Sequence, residues 1–240
     1  MEDKIKVYAM LAAHSYPKRR MEEKNIKRLK MFNSKTRKID LNSLYLNKYK
    51  KISDLCPTNF CTYENKSDKE IVMAIRGTDK TFIEEGDLIT DMFLFKGDET
   101  KRNIYKRVYN NLKIIIKRYP NYKITLTAHS LGARLAINLL DSNLGDKIDY
   151  VYAFNPGTSI PQLYKSNECY IENQSKKKKE ICDRRDKKLS IHIVNRDIIS
   201  VLSIGERAKT HKIHKRKLMS SRLLGKSKTI KSNHAILNFI

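Results

Sequence analysis

The chain reads as an α/β protein, a mostly parallel central sheet with helices on both faces, and three observations predict it. Short continuous apolar runs alternate with longer segments whose apolar residues recur at helical spacing. The run Ile71-Val72-Met73-Ala74-Ile75 shows no polar alternation, as expected of a strand buried on both faces. Each run leads into a turn-forming or polar cluster, and the residues able to do chemistry fall there, at the carboxyl ends of the strands.

An opening helix is predicted over 4–15, with Ile5, Tyr8, Ala9, Ala12 and Tyr16 along one face and Pro17 as its stop. The basic stretch 18–51, containing Lys18-Arg19-Arg20 and Lys27-Arg28, reads as loop and short irregular elements. The buried strand 71–75 follows and ends at Arg76-Gly77-Thr78. A long helix is expected over 99–119, with Ile104, Val108, Leu112, Ile115 and Tyr119 facing the core and Pro120 ending it. A second strand, Lys123-Ile124-Thr125-Leu126-Thr127, runs into Ala128-His129-Ser130-Leu131-Gly132. Beyond it Leu131, Leu135, Ala136, Leu139 and Leu140 mark a helix. A third strand over 150–154 ends at Asn155-Pro156-Gly157, and a fourth over 189–194 ends at Asn195-Arg196-Asp197. Segments 165–188 and 207–231 are basic and aperiodic and read, with 18–51, as surface insertions on a single domain of residues 1–240. No internal repeat is visible.

Fifty Lys and Arg against 26 Asp and Glu give a formal net charge of +24, which predicts attraction to a polyanion: nucleic acid, an anionic lipid surface or an acidic partner. The absence of Trp and the 8% aromatic content weigh against a nucleic-acid module built on stacking platforms. Met1-Glu2-Asp3-Lys4-Ile5-Lys6 lacks the layout of a signal peptide, and no stretch approaches the ~18 apolar residues of a membrane span. A cytoplasmic or virion-associated protein made in a reducing compartment is therefore expected. Cys56, Cys61, Cys169 and Cys182 are too few for a disulfide scaffold and are read as free thiols, in preference to a composite zinc site whose spacing is not tight.

The chemistry centres on Ser130. A serine on a sharp strand-to-helix turn has strained backbone angles and little room on either side, so the positions two away must be small, as Ala128 and Gly132 are. The turn lifts the hydroxyl out of the sheet and aims the amides at the helix N-terminus at an oxyanion. A nucleophilic serine needs a base and an orienting acid, ordered serine, acid, histidine in this class of fold. His192 lies inside a strand pattern and reads as a packed or edge histidine; His211 and His214 sit among lysines. His234, in Ser232-Asn233-His234-Ala235-Ile236-Leu237, is the preferred base. Asp197 follows the fourth strand directly and is preferred as the acid over Asp183 and Asp186 in their charged run.

These residues resemble the class 3 lipases, the fungal-lipase-like branch of the α/β hydrolases. The resemblance runs from Leu11-Ala12 and Tyr16 through Val72-Met73-Ala74-Ile75-Arg76-Gly77-Thr78 and Thr127-Ala128-His129-Ser130-Leu131-Gly132-Ala133. It continues through Ala153-Phe154-Asn155-Pro156-Gly157 and Asn195-Arg196-Asp197-Ile198-Ile199 to His234. It implies a triad of Ser130, Asp197 and His234, and an oxyanion hole made by Thr78, through its amide and hydroxyl, with the amide of Leu131. Asp87 and Asp91 look like the family's acidic motif and are structural by that resemblance. Ala128 stands where glycine is commoner, Ser200 where the family usually has proline, and residues 79–86, with only Phe82 and Ile83 prominently apolar, are short for a lipase lid.

The expected function is serine-dependent hydrolysis of carboxylic esters of lipids, by a lipase or phospholipase, with neither metal nor organic cofactor. Each oxyanion donor is worth about 3 kcal/mol. Anionic lipid is favoured because 207–231 carries ten Lys and Arg, with Lys215, Arg216 and Lys217 together as the candidate headgroup-binding cluster. The alternative is a basic nucleic-acid- or membrane-binding protein on a catalytically vestigial hydrolase scaffold.

Overall fold

A computed structural model of the chain describes residues 2–15, 48–57, 59–77, 103–157, 175–194 and 209–213. In chain order these form α1 (Glu2–His14), β1 (Lys50–Lys51), β2 (Phe60–Asn65), β3 (Glu70–Ile75), α2 (Asn103–Arg118), β4 (Lys123–His129), α3 (Leu131–Leu140), β5 (Tyr150–Phe154), α4 (Lys176–Lys188), β6 (Leu189–Val194) and β7 (Lys209–Ile213). The strands lie side by side in sequence order. β1, β2 and β3 pair antiparallel, whereas β3 through β7 are parallel neighbours.

Sequential order has a consequence for the helices. Parallel crossovers are right-handed, so crossovers that always step the same way across a sheet leave their helices on the same face. Ile71, Met73 and Ile75 of β3 accordingly pack with Val108, Leu112 and Ile115 of α2 and with Leu135 and Leu139 of α3. The alternate residues Val72 and Ala74 point the other way, onto Tyr8, Leu11 and Ala12 of α1. Helices thus cover both faces, α1 alone among the described helices on the second.

α2 is amphipathic, with Tyr105, Val108, Leu112 and Ile115 buried, and Pro120 follows its end. In α1 the single predicted stripe understates the burial, since every residue from Val7 to Ala13 is buried. A carboxylate anchors this helix. Glu70, 6% exposed at the start of β3, accepts hydrogen bonds from Tyr8 Oη (2.7 Å), Thr125 Oγ1 (2.6 Å) and Tyr49 Oη (2.8 Å). Three hydroxyl donors thus satisfy this buried carboxyl group. Thr127 Oγ1 donates to the Tyr8 carbonyl at 2.8 Å, and the Tyr8 ring stacks on Tyr152 with centroids 4.1 Å apart.

Several expectations are corrected. β1, β2 and β7 were not expected as strands, and β7 places His211 in a strand rather than a solvated loop, in register with His192. His192 is 1% exposed between β5 and β7, so it is packed rather than at an edge. The second half of 165–188 is the helix of the β5–β6 crossover, not a surface excursion. It docks through charge: Arg185 makes a two-pronged pair with Asp141, Arg184 bonds Asp146 and the Leu140 carbonyl, and Lys188 Nζ donates to three carbonyls at 145, 146 and 148. The three described cysteines are not free thiols: Cys56 and Cys61 are joined, and Cys182 is disulfide-bonded as well, while Cys169 lies outside the described residues. A turn brings Cys56 back onto the start of β2, where its sulfur also accepts from the Thr62 amide. Among the described residues no helix is long and apolar enough to cross a membrane.

Burial, and then the Glu70 charge, hold the Tyr8 hydroxyl far above the ordinary tyrosine range. The folded protein keeps this proton where the unfolded chain releases it, so the stabilisation is full below about pH 10 and falls as pH rises beyond that. Tyr8→Phe is expected to cost about 2 kcal/mol at neutral pH and to flatten the alkaline loss, as read by urea unfolding at several pH values.

Candidate active site

β4 reaches the carboxyl edge of the sheet at His129, and the chain turns into α3 on one residue. Ser130 has φ 58° and ψ −126°. A non-glycine residue at positive φ costs of order 1 kcal/mol or more and persists only where its surroundings hold it. Here they do: the Ser130 amide donates to the Phe154 carbonyl at 3.0 Å, and the Ser130 carbonyl accepts from Gly157 N at 3.0 Å and Arg134 N at 3.3 Å. The turn is therefore tied by its backbone to the end of β5. Asn155, the next residue of that edge, also has positive φ, 42°, and its amide donates to the His192 carbonyl at 2.8 Å.

Small residues flank the serine for different reasons. Ala128 is fully buried within β4, opposite Ile75 of β3 and Ala153 of β5. Gly132 permits a close approach: a Cβ there would lie 2.5 Å from the Arg76 carbonyl oxygen and closer still to that of Ile75. Both obstacles are backbone, so neither can swing aside. α3 thus starts hard against the end of β3, just ahead of Gly77-Thr78 in the chain. Leu131 opens the helix, and its amide is among the first-turn donors that have no carbonyl partner inside the helix.

Ser130 is 7% exposed at the junction. β3 and β6 end on the same edge, each three residues before a predicted site residue, Thr78 and Asp197. Thr78, Asp87, Asp91, Asp197, His214, His234 and the Lys215, Arg216 and Lys217 cluster lie outside the described residues. Of the predicted site, the structure therefore describes Ser130 and Leu131, adjacent at the turn.

Two contributors were not read from the sequence. Arg134 is 2% exposed on α3, and its Nε donates to the Gly157 carbonyl at 2.9 Å. Since Gly157 N donates to Ser130 and Arg134 N does likewise, Ser130, Arg134 and Gly157 form a closed set of three mutual contacts. The sequence signal was present, a lone charge in the otherwise apolar Leu131-Gly132-Ala133-Arg134-Leu135-Ala136. Asn59 is the second: its carbonyl accepts from Arg76 N at 3.2 Å and its Oδ1 from Arg107 at 3.1 Å, bracing the end of β3 against α2. No group of His, Cys, Asp and Glu suited to hold a metal ion occurs among the described residues.

The fold has known relatives. A family model described as Mbeg1-like matches residues 31–201. A solved triacylglycerol lipase, whose structure is described as having a serine protease triad as its catalytic centre, superposes with TM-score 0.55 at 15% identity, over 99% of this chain and 92% of the other. A Rhizomucor miehei triacylglyceride lipase gives 0.51 at 15% identity over the same shares, and lipase II from Rhizopus niveus gives 0.50 at 14% over 85% and 75%. No curated protein matches the chain. The fold is that of the fungal-lipase-like α/β hydrolases.

The strained turn makes a prediction that needs no assay of function. Ser130→Gly is expected to raise stability by about 1 kcal/mol relative to Ser130→Ala, because glycine alone relieves the positive φ. Gly132→Ala should cost about 3 kcal/mol as the new methyl meets two carbonyls. Thermal unfolding of the three variants checks both; equal melting of the Ser130 pair would mean that the turn is not strained.

Proposed function

The chain belongs to the Mbeg1-like family, and from that premise we propose that it is a serine-dependent carboxylic ester hydrolase acting on lipids. The observation that carries the proposal is the backbone of Ser130, held at positive φ between a parallel strand and a helix N-terminus by hydrogen bonds to the neighbouring strand end. A nucleophile uses a turn of this kind, which sets its hydroxyl beside the first-turn amides of the following helix.

In the proposed mechanism Ser130 Oγ attacks the ester carbonyl while His234 takes its proton, and Asp197 holds the imidazole in the required tautomer. The amide of Leu131 and the amide and hydroxyl of Thr78 bind the oxyanion of the tetrahedral intermediate. His234 then returns the proton to the leaving alkoxide, and water repeats the sequence to release the acid. No step calls for a metal or organic cofactor. Esters of anionic lipids are the favoured substrates, with Lys215, Arg216 and Lys217 drawing headgroups to the site.

Ser130→Ala should remain folded, lose hydrolysis of short-chain p-nitrophenyl esters and lose labelling by a fluorophosphonate probe. Wild-type turnover in that variant would remove the mechanism. His234→Ala should be nearly as damaging while His211→Ala and His214→Ala are not. Thr78→Val should lower kcat by about 10- to 100-fold with little change in KM, since its amide remains and the lost hydroxyl serves the transition state. A protein that folds, resists the probe and binds nucleic acid would instead be a binding module on this scaffold.

A further inference from the structure

The two sides of the sheet differ in charge. α1, on one face, carries two acidic residues, Glu2 and Asp3, against two lysines, Lys4 and Lys6. On the other face α2 carries five Lys or Arg and no acid, and α4 carries eight against three. Part of this charge serves the fold: Arg118 pairs with Asp54, Arg107 holds Asn59, and Arg184, Arg185 and Lys188 dock α4. The remainder has no such role. Lys106, Lys113 and Lys117 of α2 and Lys176, Lys177 and Lys179 of α4 are exposed, and none of their ammonium groups has a hydrogen bond or ion pair among the described residues.

Position matters as much as number. At about 100° per residue, Lys106, Lys113 and Lys117 fall within an arc of about 40°, opposite the buried stripe of α2. Beside this line stands Ile114, 51% exposed, the one large hydrophobic side chain exposed among the described residues. α2 and α4 flank α3 on one face, which sets them about 20 Å apart, and they are about 24 and 20 Å long. The cations thus spread over a broad area instead of converging on a pocket. Because both helices run back along their crossovers, Lys106 and Lys176–Lys179 stand at the sheet edge that bears Ser130.

We propose that the outer face of α2 and α4 docks the protein on an anionic phospholipid bilayer, with the lysines over the headgroups and Ile114 entering the interface. Charge complementarity selects an anionic surface, and the exposed isoleucine beside the basic stripe selects lipid over nucleic acid, because apolar burial adds to lipid binding and does nothing for a phosphate backbone. This surface is distinct from the Lys215 cluster and does not depend on Ser130 being a nucleophile.

The test is cosedimentation with phosphatidylcholine vesicles with and without phosphatidylserine, which reads binding without turnover. Wild type should bind the phosphatidylserine vesicles and leave the neutral ones. The triple variant Lys106→Gln, Lys113→Gln, Lys117→Gln should bind on the order of 100-fold more weakly, from about a factor of five per lysine, and the matching triple variant of Lys176, Lys177 and Lys179 should weaken binding similarly. Ile114→Ser should cost about fivefold, and that loss should persist in high salt, where the lysine effects shrink. All the positions are exposed, and unchanged melting temperatures would verify the fold. Wild-type vesicle binding by both triple variants would overturn the proposal. So would loss of duplex DNA binding in the triple variants with Ile114→Ser silent, which would assign the face to nucleic acid.

Discussion

The backbone of α3 meets the end of β3 with no side chain between them, at Gly132 against the carbonyls of Ile75 and Arg76. The edge of the sheet around Ser130 depends on that approach. With the helix start pressed against one strand end, the chain has a single residue in which to leave β4, and that residue must take the strained conformation seen at Ser130. The strain is then held from the other side, where Phe154 and Gly157 bond both polar groups of its backbone. One neighbouring strand sets the position of the turn and the other fixes it.

Charge is used within the fold in two ways. Glu70 is buried with hydroxyl donors from α1, from Tyr49 and from β4, so its desolvation is offset by hydrogen bonds that also fix where α1 lies. α4 is held by Arg184, Arg185 and Lys188, whose long side chains reach the polar groups left where α3 ends and β5 has yet to begin. Cys182 is its one buried residue. Both devices place a helix by hydrogen bonding where apolar area is small.

That difference explains what the sequence disclosed. β5 and β6 match their expected limits, and β3 and β4 differ by one residue and two, because a strand buried on both faces writes itself as an apolar run. Phe60-Cys61-Thr62-Tyr63-Glu64-Asn65 and Lys209-Thr210-His211-Lys212-Ile213 mix polar and apolar residues, and only their pairing partners make them strands. α4 had no apolar stripe to read, since arginines dock it. At the candidate site, Ser130, Ala128 and Gly132 were legible because steric rules for a tight turn act locally. Asn155 and Gly157 were legible only as a strand end and Arg134 only as a lone charge in an apolar helix, and Asn59 not at all, because their partners lie in segments distant in sequence that no spacing reveals.

The buried helix α1 bears on how the molecule is made. Tyr8 bonds Glu70, 62 positions later, and receives the Thr127 hydroxyl from 119 positions later, while its ring waits for Tyr152. On the ribosome α1 emerges long before β3, β4 and β5 exist to cover it. Val7 to Ala13 must spend that interval either solvated or shielded by something else, a window of several seconds at ordinary rates of synthesis. Late closure over such a span carries a large entropic cost, so the second face of the sheet should be sealed after the first has assembled. Folding yield in the cell therefore depends on the fate of this one segment during synthesis as well as on the stability of the finished domain.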